Sequence, residues 1–434
     1  MKKVHFIGIG GIGLSAICRF LKKQGYQITG SDIKRTPIIK ELENEGIRVN
    51  VPHHKDNIKD QDLIIYSAAI KEDNEELQEA KKQGKTILSR KEALPLVLRD
   101  KKVFSVAGAH GKSTTSAMLA SIIDGSVIIG AISKQFGSNM FYKESENIIF
   151  EADESDASFL NSNPHVAVVT NAEPEHMEFY NYDYDKFYGG YKEFLNKATF
   201  RVINAEDEFL SSLHDLDATR LYPSRDIKDI KTIIKDNEPF TSFKLKDLGV
   251  FEVWGVGEHM AIDASLAIMA SSHQHDIPTI KERLKKFRGI KKRFDILSSS
   301  EDFALIDDYA HHPTEIKATL KSARSYGNAK GLESLNVIWQ PHKFSRTIDN
   351  LDGFKECFEG VDNLVILPVF AAGESEQKID FKKEFAAYNP KFTKKIQREK
   401  DGISFLNGGN KKILNKGLII GFGAGDITYQ LRGI

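Results

Sequence analysis

Gly108-Ala109-His110-Gly111-Lys112-Ser113-Thr114-Thr115 carries the strongest chemical signal in the chain. The two glycines free the backbone to wrap an anion. Lys112 can reach terminal phosphate oxygens, and the Ser113 hydroxyl can ligate a hard divalent cation. The strict phosphate-loop pattern of G, four residues, then G-K-[ST] fails, because Val106 stands at its first position. The setting nevertheless fits: an apolar Val103–Val106 precedes the loop and a helical Ser116–Ile123 follows it. The bland alternative, a glycine turn with a surface lysine, needs strand, loop, Lys-Ser-Thr and helix to coincide by chance.

A second glycine run, Gly8-Ile9-Gly10-Gly11-Ile12-Gly13, also follows a strand pattern and opens a helical one. Such a loop approaches a diphosphate closely and places it at a helix N-terminus. Asp32 closes the next strand, where a ribose-binding carboxylate often sits. The alternative is a turn for tight helix–strand packing. A hydride-transfer enzyme needs only this loop, and a simple nucleotide hydrolase only the other. Both together imply two phosphorylated ligands.

Two acidic strand ends follow: Glu151-Ala152-Asp153-Glu154-Ser155-Asp156, and Asn171-Ala172-Glu173-Pro174-Glu175-His176. A carboxylate and an imidazole beside a phosphate loop could hold a divalent metal against a triphosphate, which singles out Glu151 and His176. Each acid taken alone reads equally well as surface. Further on, Asp308 and Tyr309 end a strand. His311-His312 precede Pro313, as a helix-start pair or a functional one, and Gly423-Ala424-Gly425-Asp426 is a short possible anion loop.

These residues must be positioned by a sizeable fold. The chain has 434 residues, 61 Lys+Arg against 61 Asp+Glu, 41% hydrophobic and 28% charged residues. That length suggests about three domains. The zero net charge argues against nucleic-acid binding through bulk positive charge and against a self-repelling disordered chain. By segment, residues 1–100 carry 18 basic and 14 acidic side chains, residues 101–292 carry 23 and 28, and residues 293–434 carry 20 and 19. Residues 144–185 hold 11 acids and no Lys or Arg, so their counter-charge must come from elsewhere; residues 281–293 hold eight basic residues and one acid.

Short apolar runs alternate with amphipathic segments: Val4–Ile9, Tyr26–Thr29, Ile47–Val51, Leu63–Tyr66 and Thr86–Leu88 form a first series. A second runs through Val103–Val106, Val127–Ile132, Ile148–Phe150, Val166–Thr170 and Arg201–Ile203. A third includes Phe303–Ile306, Asn336–Trp339, Leu364–Leu367 and Gly417–Ile420. Such alternation predicts βαβ units and parallel sheets. Residues 215–258, with Pro223 and Pro239, predict a small separate sheet.

The apolar run after Lys2-Lys3 is broken by Gly8, Gly10, Gly11 and Gly13, so it does not build a secretory signal helix. No stretch reaches the roughly 18 apolar residues of a membrane span. Cys18 and Cys357 lie far apart, without metal spacing or a disulfide framework, which fits a reducing cytosol. A cytoplasmic protein without membrane or nucleic-acid partners is the expectation; the oligomeric state is open.

The motifs resemble those of the Mur ligases of bacterial cell-wall synthesis. The matching stretches are GIGGIG at 8–13, AGAHGKSTT at 107–115, EADESDASFL at 151–160, NAEPEHMEFY at 171–180, KKRFD at 291–295, DDYAHHPTE at 307–315, QPHKFSRT at 340–347 and GAGDI at 423–427. They run in one order through essentially the whole chain. The resemblance implies an α/β fold of three domains. Residues 1–98 would form a Rossmann-like domain holding a UDP-sugar. Residues 99–292 would form a central phosphate-loop domain, with a parallel sheet and the small extra sheet, for ATP and Mg²⁺. Residues 293–434 would form a Rossmann-like, amino-acid-binding closing domain.

The implied reaction joins the lactyl carboxylate of UDP-N-acetylmuramate to L-alanine through an acyl phosphate, consuming ATP. In it Gly8, Gly10, Gly11, Gly13, Asp32, Ser67 and Ala68 hold the sugar nucleotide. Gly108, Ala109, His110, Gly111, Lys112, Ser113, Thr114, Arg293, Asp308 and Tyr309 hold ATP. Ser113, Glu151 and His176 hold the metal. Lys112, Glu151, His176, His342 and Arg346 serve catalysis, the last pair facing substrate carboxylates.

The chain departs from the family at Lys343, where Arg is usual, and at Ser113, where Thr is usual. Lysine loses the bidentate fork, whereas serine keeps the hydroxyl. Met260 and Asp263 replace the two asparagines that usually hold adenine, and no motif fixes Lys192 as a carbamylated lysine. A recycling ligase that adds a whole tripeptide is the alternative within the family. A nucleotide-binding switch without chemistry is the alternative outside it; a dehydrogenase leaves Lys112 without a role.

Overall fold

The structure, a computed structural model, describes residues 2–434. They form an α/β protein of five sheets, in two compact units. The first unit comprises residues 1–228, 245–249 and 262–287, and the second residues 229–244, 250–261 and 288–434.

In the first unit, a five-stranded parallel sheet has the spatial order Arg48–Asn50, Gln27–Ser31, Lys3–Ile7, Leu63–Tyr66, Thr86–Ser89. The central strand buries Val4, Phe6 and Ile7 completely, as expected of a strand covered by helices on both faces. The strand order reverses at Lys3–Ile7, so the crevice beyond its carboxyl end is the natural ligand site. The Gly8–Gly13 run emerges there and leads into helix Ile12–Lys23. Helix Arg90–Val97 starts from a capping box between Ser89 and Glu92, which fixes where Arg90 leaves the sheet.

The second sheet of this unit has seven strands, in the order Thr219–Leu221, Phe200–Asn204, Val166–Val169, Lys102–Ala107, Asn147–Glu151, Ser126–Ile128, Met140–Phe141. Only the last pair is antiparallel. Register sets the site: Val106 lies opposite Glu151, and Ala107 opposite Val169. Both acidic strand ends therefore flank the loop after Ala107. Beneath them, helix Tyr184–Lys197 buries Phe187, Tyr191 and Phe194, one helical face spaced by three and four residues, against Phe159.

The small separate sheet predicted for 215–258 is present as Ile227–Lys235, Glu238–Leu245 and Gly249–Trp254. The second unit is built on six strands in the order Asp295–Ser299, Phe303–Asp308, Gly417–Phe422, Leu335–Trp339, Asn363–Ile366, Lys391–Phe392. All run parallel except Asp295–Ser299. One face buries Trp339 among Phe354, Phe358 and Phe385. The other packs Ile338 and Val365 against Ile396, Ile403 and Phe405 of an antiparallel three-stranded sheet, Ile396–Glu399, Gly402–Asn407 and Asn410–Leu414. That sheet was absent from the sequence reading: its lysine-rich strands alternate too weakly to stand out. No helix among the described residues is long and apolar enough to cross a membrane.

Candidate functional site

The central loop is built by two glycines that no other residue could replace. Gly108 has φ +137°, and a Cβ there would lie 2.1 Å from the Thr170 hydroxyl. Gly111 has φ +79°, and a Cβ there would lie 2.5 Å from Asp263. Gly111 caps helix Lys112–Ile122 without any side-chain bond, which leaves backbone N–H groups open to an anion. The neighbouring side chains fasten the loop. The His110 N–H donates to Asn171 at 3.0 Å, and the His110 ring lies 3.5 and 3.6 Å from Glu173 and Glu175.

Lys112 folds back over its own loop. Its ammonium donates to the carbonyls of Gly108 and Ala109 and pairs with Glu154 at 2.9 Å. Glu154 is 1% exposed, and its second carboxylate oxygen has no partner among the described residues. Burial keeps its carboxyl above the usual range despite Lys112. Sequence reasoning passed over Glu154, because nothing local marks it among four neighbouring acids.

Ser113 donates to Glu151 at 2.9 Å, and the Gly130 N–H donates to the other Glu151 oxygen at 2.7 Å. His176 is half exposed, with φ +53°, and its ring lies 3.8 Å from Glu178. Among the described residues no group of three or more His, Cys, Asp or Glu is arranged to hold a metal. A hydroxyl and one carboxylate are nevertheless a suitable donor set for Mg²⁺. That ion keeps several waters and is usually held by one or two carboxylates together with substrate phosphates.

Asp263 lies against Gly111, 5% exposed, and burial pushes its carboxyl up to about 8 despite the neighbouring Thr115. It thus braces the start of the phosphate-loop helix. Met260 belongs to the other unit, packed on Gly255.

At the first loop, the Gly8 and Ile9 N–H groups donate to the Ser31 carbonyl, and the Gly10 N–H donates to Asp32 at 2.8 Å. The other Asp32 oxygen accepts the Ile33 N–H at 2.7 Å. Asp32, expected at a ribose, is therefore also what shapes the loop. Ser67 packs against Gly8, and Ala68 is exposed beside it. A Cβ on Gly13 would lie 3.0 Å from Arg90. Arg90 bonds Asp153 at 3.1 Å, Asp156 at 3.0 Å and Ser158 at 3.2 Å, so one guanidinium links the first loop to the acidic strand end. Sequence reasoning missed it too.

In the second unit Asp308 is 4% exposed and accepts N–H groups of Phe294 and Ala310 at 2.7 and 2.8 Å. Burial outweighs these donors and raises its carboxyl to about 6. Tyr309 is partly exposed, and Arg293 lies half exposed, 3.9 Å from Glu315. His312 caps helix Pro313–Lys330 and contacts Asn350 at 3.0 Å, a structural role. His311 is packed edge-on to His342, ring centres 5.8 Å apart. His342 lies 3.0 Å from Arg346 and stacks on Phe370; burial, then Arg346, lowers it to about 4, so it is neutral near pH 7. Lys343, where the family usually has Arg, takes φ +67° at the start of helix Phe344–Asp349. Gly425 approaches Phe370 and Gln340, whose side chain holds Asp426, so the Gly423–Asp426 turn is fastened within its own unit.

Comparison with known proteins bears on these loops together. Residues 3–102 match the Mur ligase family catalytic domain, residues 106–270 the Mur ligase middle domain, and residues 292–401 the Mur ligase glutamate ligase domain. A UDP-N-acetylmuramate–L-alanine ligase of Campylobacter curvus is 62% identical over 434 residues, covering 100% of both chains. One from Helicobacter pylori is 53% identical, covering 99% of this chain and 96% of that protein. The crystal structure of a UDP-N-acetylmuramate–alanine ligase from Thermotoga maritima superposes with TM-score 0.83 at 26% identity, covering 100% of this chain and 98% of the other.

Proposed function

The chain belongs to the Mur ligase family, and from that premise we propose that it joins UDP-N-acetylmuramate to L-alanine at the expense of ATP. The observation that carries this reading is that two glycine phosphate loops sit in one compact unit, in a chain whose relatives at 52–62% identity bear that ligase name. The tripeptide-adding alternative is not favoured: a solved murein peptide ligase from Psychrobacter arcticus shares the fold at 19% identity and TM-score 0.65. We assign residues 1–98 to the sugar nucleotide, 99–292 to ATP, and 293–434 to the amino acid.

A carboxylate is a poor electrophile, because its leaving group would be oxide. Transfer of the γ-phosphoryl group of ATP to the lactyl carboxylate supplies a good leaving group. The amine of alanine then attacks the acyl carbon, the carbon–oxygen bond to phosphate breaks, and the amine proton passes to solvent or a base. The loop backbone and Lys112 hold the β- and γ-phosphates, for which Lys112 must exchange Glu154 for phosphate oxygens. Ser113 and Glu151 are the residues that would hold Mg²⁺. When bound, that ion supplies charge neutralisation between nucleotide and carboxylate. The Gly8–Gly13 loop grips the UDP diphosphate, so binding energy far from the reaction positions the reacting carboxylate. His342 and Arg346 face the substrate carboxylates, with His342 neutral. We assign Asp308, Tyr309 and Arg293 to ATP as well.

The test is phosphate release with UDP-N-acetylmuramate, ATP, Mg²⁺ and L-alanine, each omitted in turn. Release should require all four. Release that ignores alanine or the sugar nucleotide refutes the assignment, and preference for L-Ala-γ-D-Glu-diaminopimelate over alanine selects the tripeptide ligase instead.

A further inference from the structure

None of the residues assigned above lines a cavity on the second unit. It has a volume of about 750 Å³ and lies between the end of strand Asn363–Ile366 and the antiparallel sheet of residues 396–414. That size falls within the roughly 300–1,000 Å³ of small-molecule sites. Its walls are mainly apolar: Leu367, Ile379, Phe392, Ile396, Phe405 and Leu406. Two of these are exposed, Phe392 at 37% and Leu406 at 60%. An apolar residue left open in this way, beside others, marks a site that something covers.

The polar groups of the cavity narrow the class of ligand. The Thr393 hydroxyl is spent on the Lys395 carbonyl at 2.9 Å, and the Ser404 hydroxyl on Glu399 at 2.7 Å. Gln397 is the remaining uncharged polar side chain of the lining, so a sugar, nucleotide or peptide seated here would bury several hydrogen-bonding groups with few partners, a cost that disfavours it. The body of the ligand must be hydrocarbon. The rim carries Lys394, Lys395 and Lys411. Lys411 pairs with Glu399 at 2.9 Å, whereas neither Lys394 nor Lys395 has an ion-pair partner among the described residues. The surrounding segment, residues 378–416, holds 11 Lys+Arg against 4 Asp+Glu, in a chain whose total is balanced. The head of the ligand must be an anion.

We propose that this cavity binds an anionic amphiphile, a single hydrocarbon chain ending in a carboxylate or a phosphate. The chain lies against Phe392, Phe405 and Leu406, and the head meets Lys394 and Lys395.

Isothermal titration of the full chain with decanoate, dodecanoate, tetradecanoate, dodecyl phosphate and dodecanol tests this. Saturable binding at one site is expected, tightening about fourfold per added methylene until the cavity is filled. Dodecanoate and dodecyl phosphate should both bind, weakening with salt, and their order of affinity identifies the preferred head. Dodecanol should bind at least fivefold more weakly. Leu406→Glu and the double change Lys394→Glu with Lys395→Glu should each weaken dodecanoate at least fivefold, with ligase turnover unchanged as the control for folding. Absence of saturable dodecanoate binding, equal affinity for dodecanol, or unchanged binding in both variants overturns the proposal.

Discussion

Asp263→Asn should stabilise the first unit, by an amount that grows with pH. The folded carboxyl holds its proton up to about 8, against an ordinary value of 3.8. Between those values the folded state keeps a proton that the unfolded chain has released, so the stability of the natural protein falls as pH rises. Each pH unit in that window removes about 1.4 kcal/mol. Asparagine keeps the shape, keeps one acceptor oxygen and offers an N–H where the acid offers an O–H, but has no proton to lose. The variant's advantage is therefore about 2 kcal/mol at pH 5 and about 4 kcal/mol at pH 7. Scanning calorimetry of both proteins at pH 5, 6 and 7 measures it. A chain of this size unfolds in more than one step, so the transitions must be assigned. Trp254 and Trp339 both lie in the second unit, so the transition silent in tryptophan fluorescence belongs to the first. A difference that does not change with pH, or a variant less stable at pH 7, refutes the reasoning.

Further tests address neighbouring groups. Glu154→Gln should tighten ATP several-fold in equilibrium binding, because phosphate no longer competes with a carboxylate for Lys112; weaker binding would show that Glu154 itself supports the nucleotide. Arg90→Ala should lower thermal stability by about 2 kcal/mol, leaving Asp153 and Asp156 without their cation, and Arg90→Lys should recover less than half, since the lysine ammonium is one bond short of the position that Nη2 occupies among its three acceptors. Glu76 is fully buried, and although burial alone would raise its carboxyl, His5, His53, Asn57 and Ser31 hold it far below the usual range. Its contribution is thus present above pH 4.5 and lost as pH falls, and Glu76→Gln should cost about 3 kcal/mol at pH 7 and progressively less in acid denaturation series. His342, held near 4, should stay neutral in NMR titration from pH 8 to pH 5.5, so an activity loss between pH 6 and 8 must come from another group.

Legibility in the sequence followed the distance over which each role is decided. The Gly108–Thr115 loop and the strand-end position of Glu151 depend on neighbours in the chain, and both were readable. The partners of Lys112 and Arg90 lie 42 and 63–68 residues away, fixed only by which strands sit side by side. Asp32 was expected at the end of the second strand, for a ribose; its hold on the Gly10 N–H required the turn itself. Asp263 reads as a departure from a family pattern; only burial against Gly111 gives it a job. The parallel sheets followed from alternation of apolar runs, whereas the sheet of residues 396–414 did not, because Lys411, Lys412 and the exposed Leu406 and Ile413 blur its two-residue period.

Arg90 is not alone in fastening the first two sheets. Arg19 of helix Ile12–Lys23 donates to Asn139 at 2.9 Å, and Asn139 donates back to the Ile12 carbonyl at 2.6 Å. Both loops thus belong to a single stiff caliper. On the proposed assignment, a molecule held by its diphosphate at one jaw would deliver its other end at a set reach, much as a gauge accepts one length of stock. Because Arg19 and Arg90 set that reach, cutting both ties, and not merely altering the segment between Val97 and Lys102, is what would loosen the gauge.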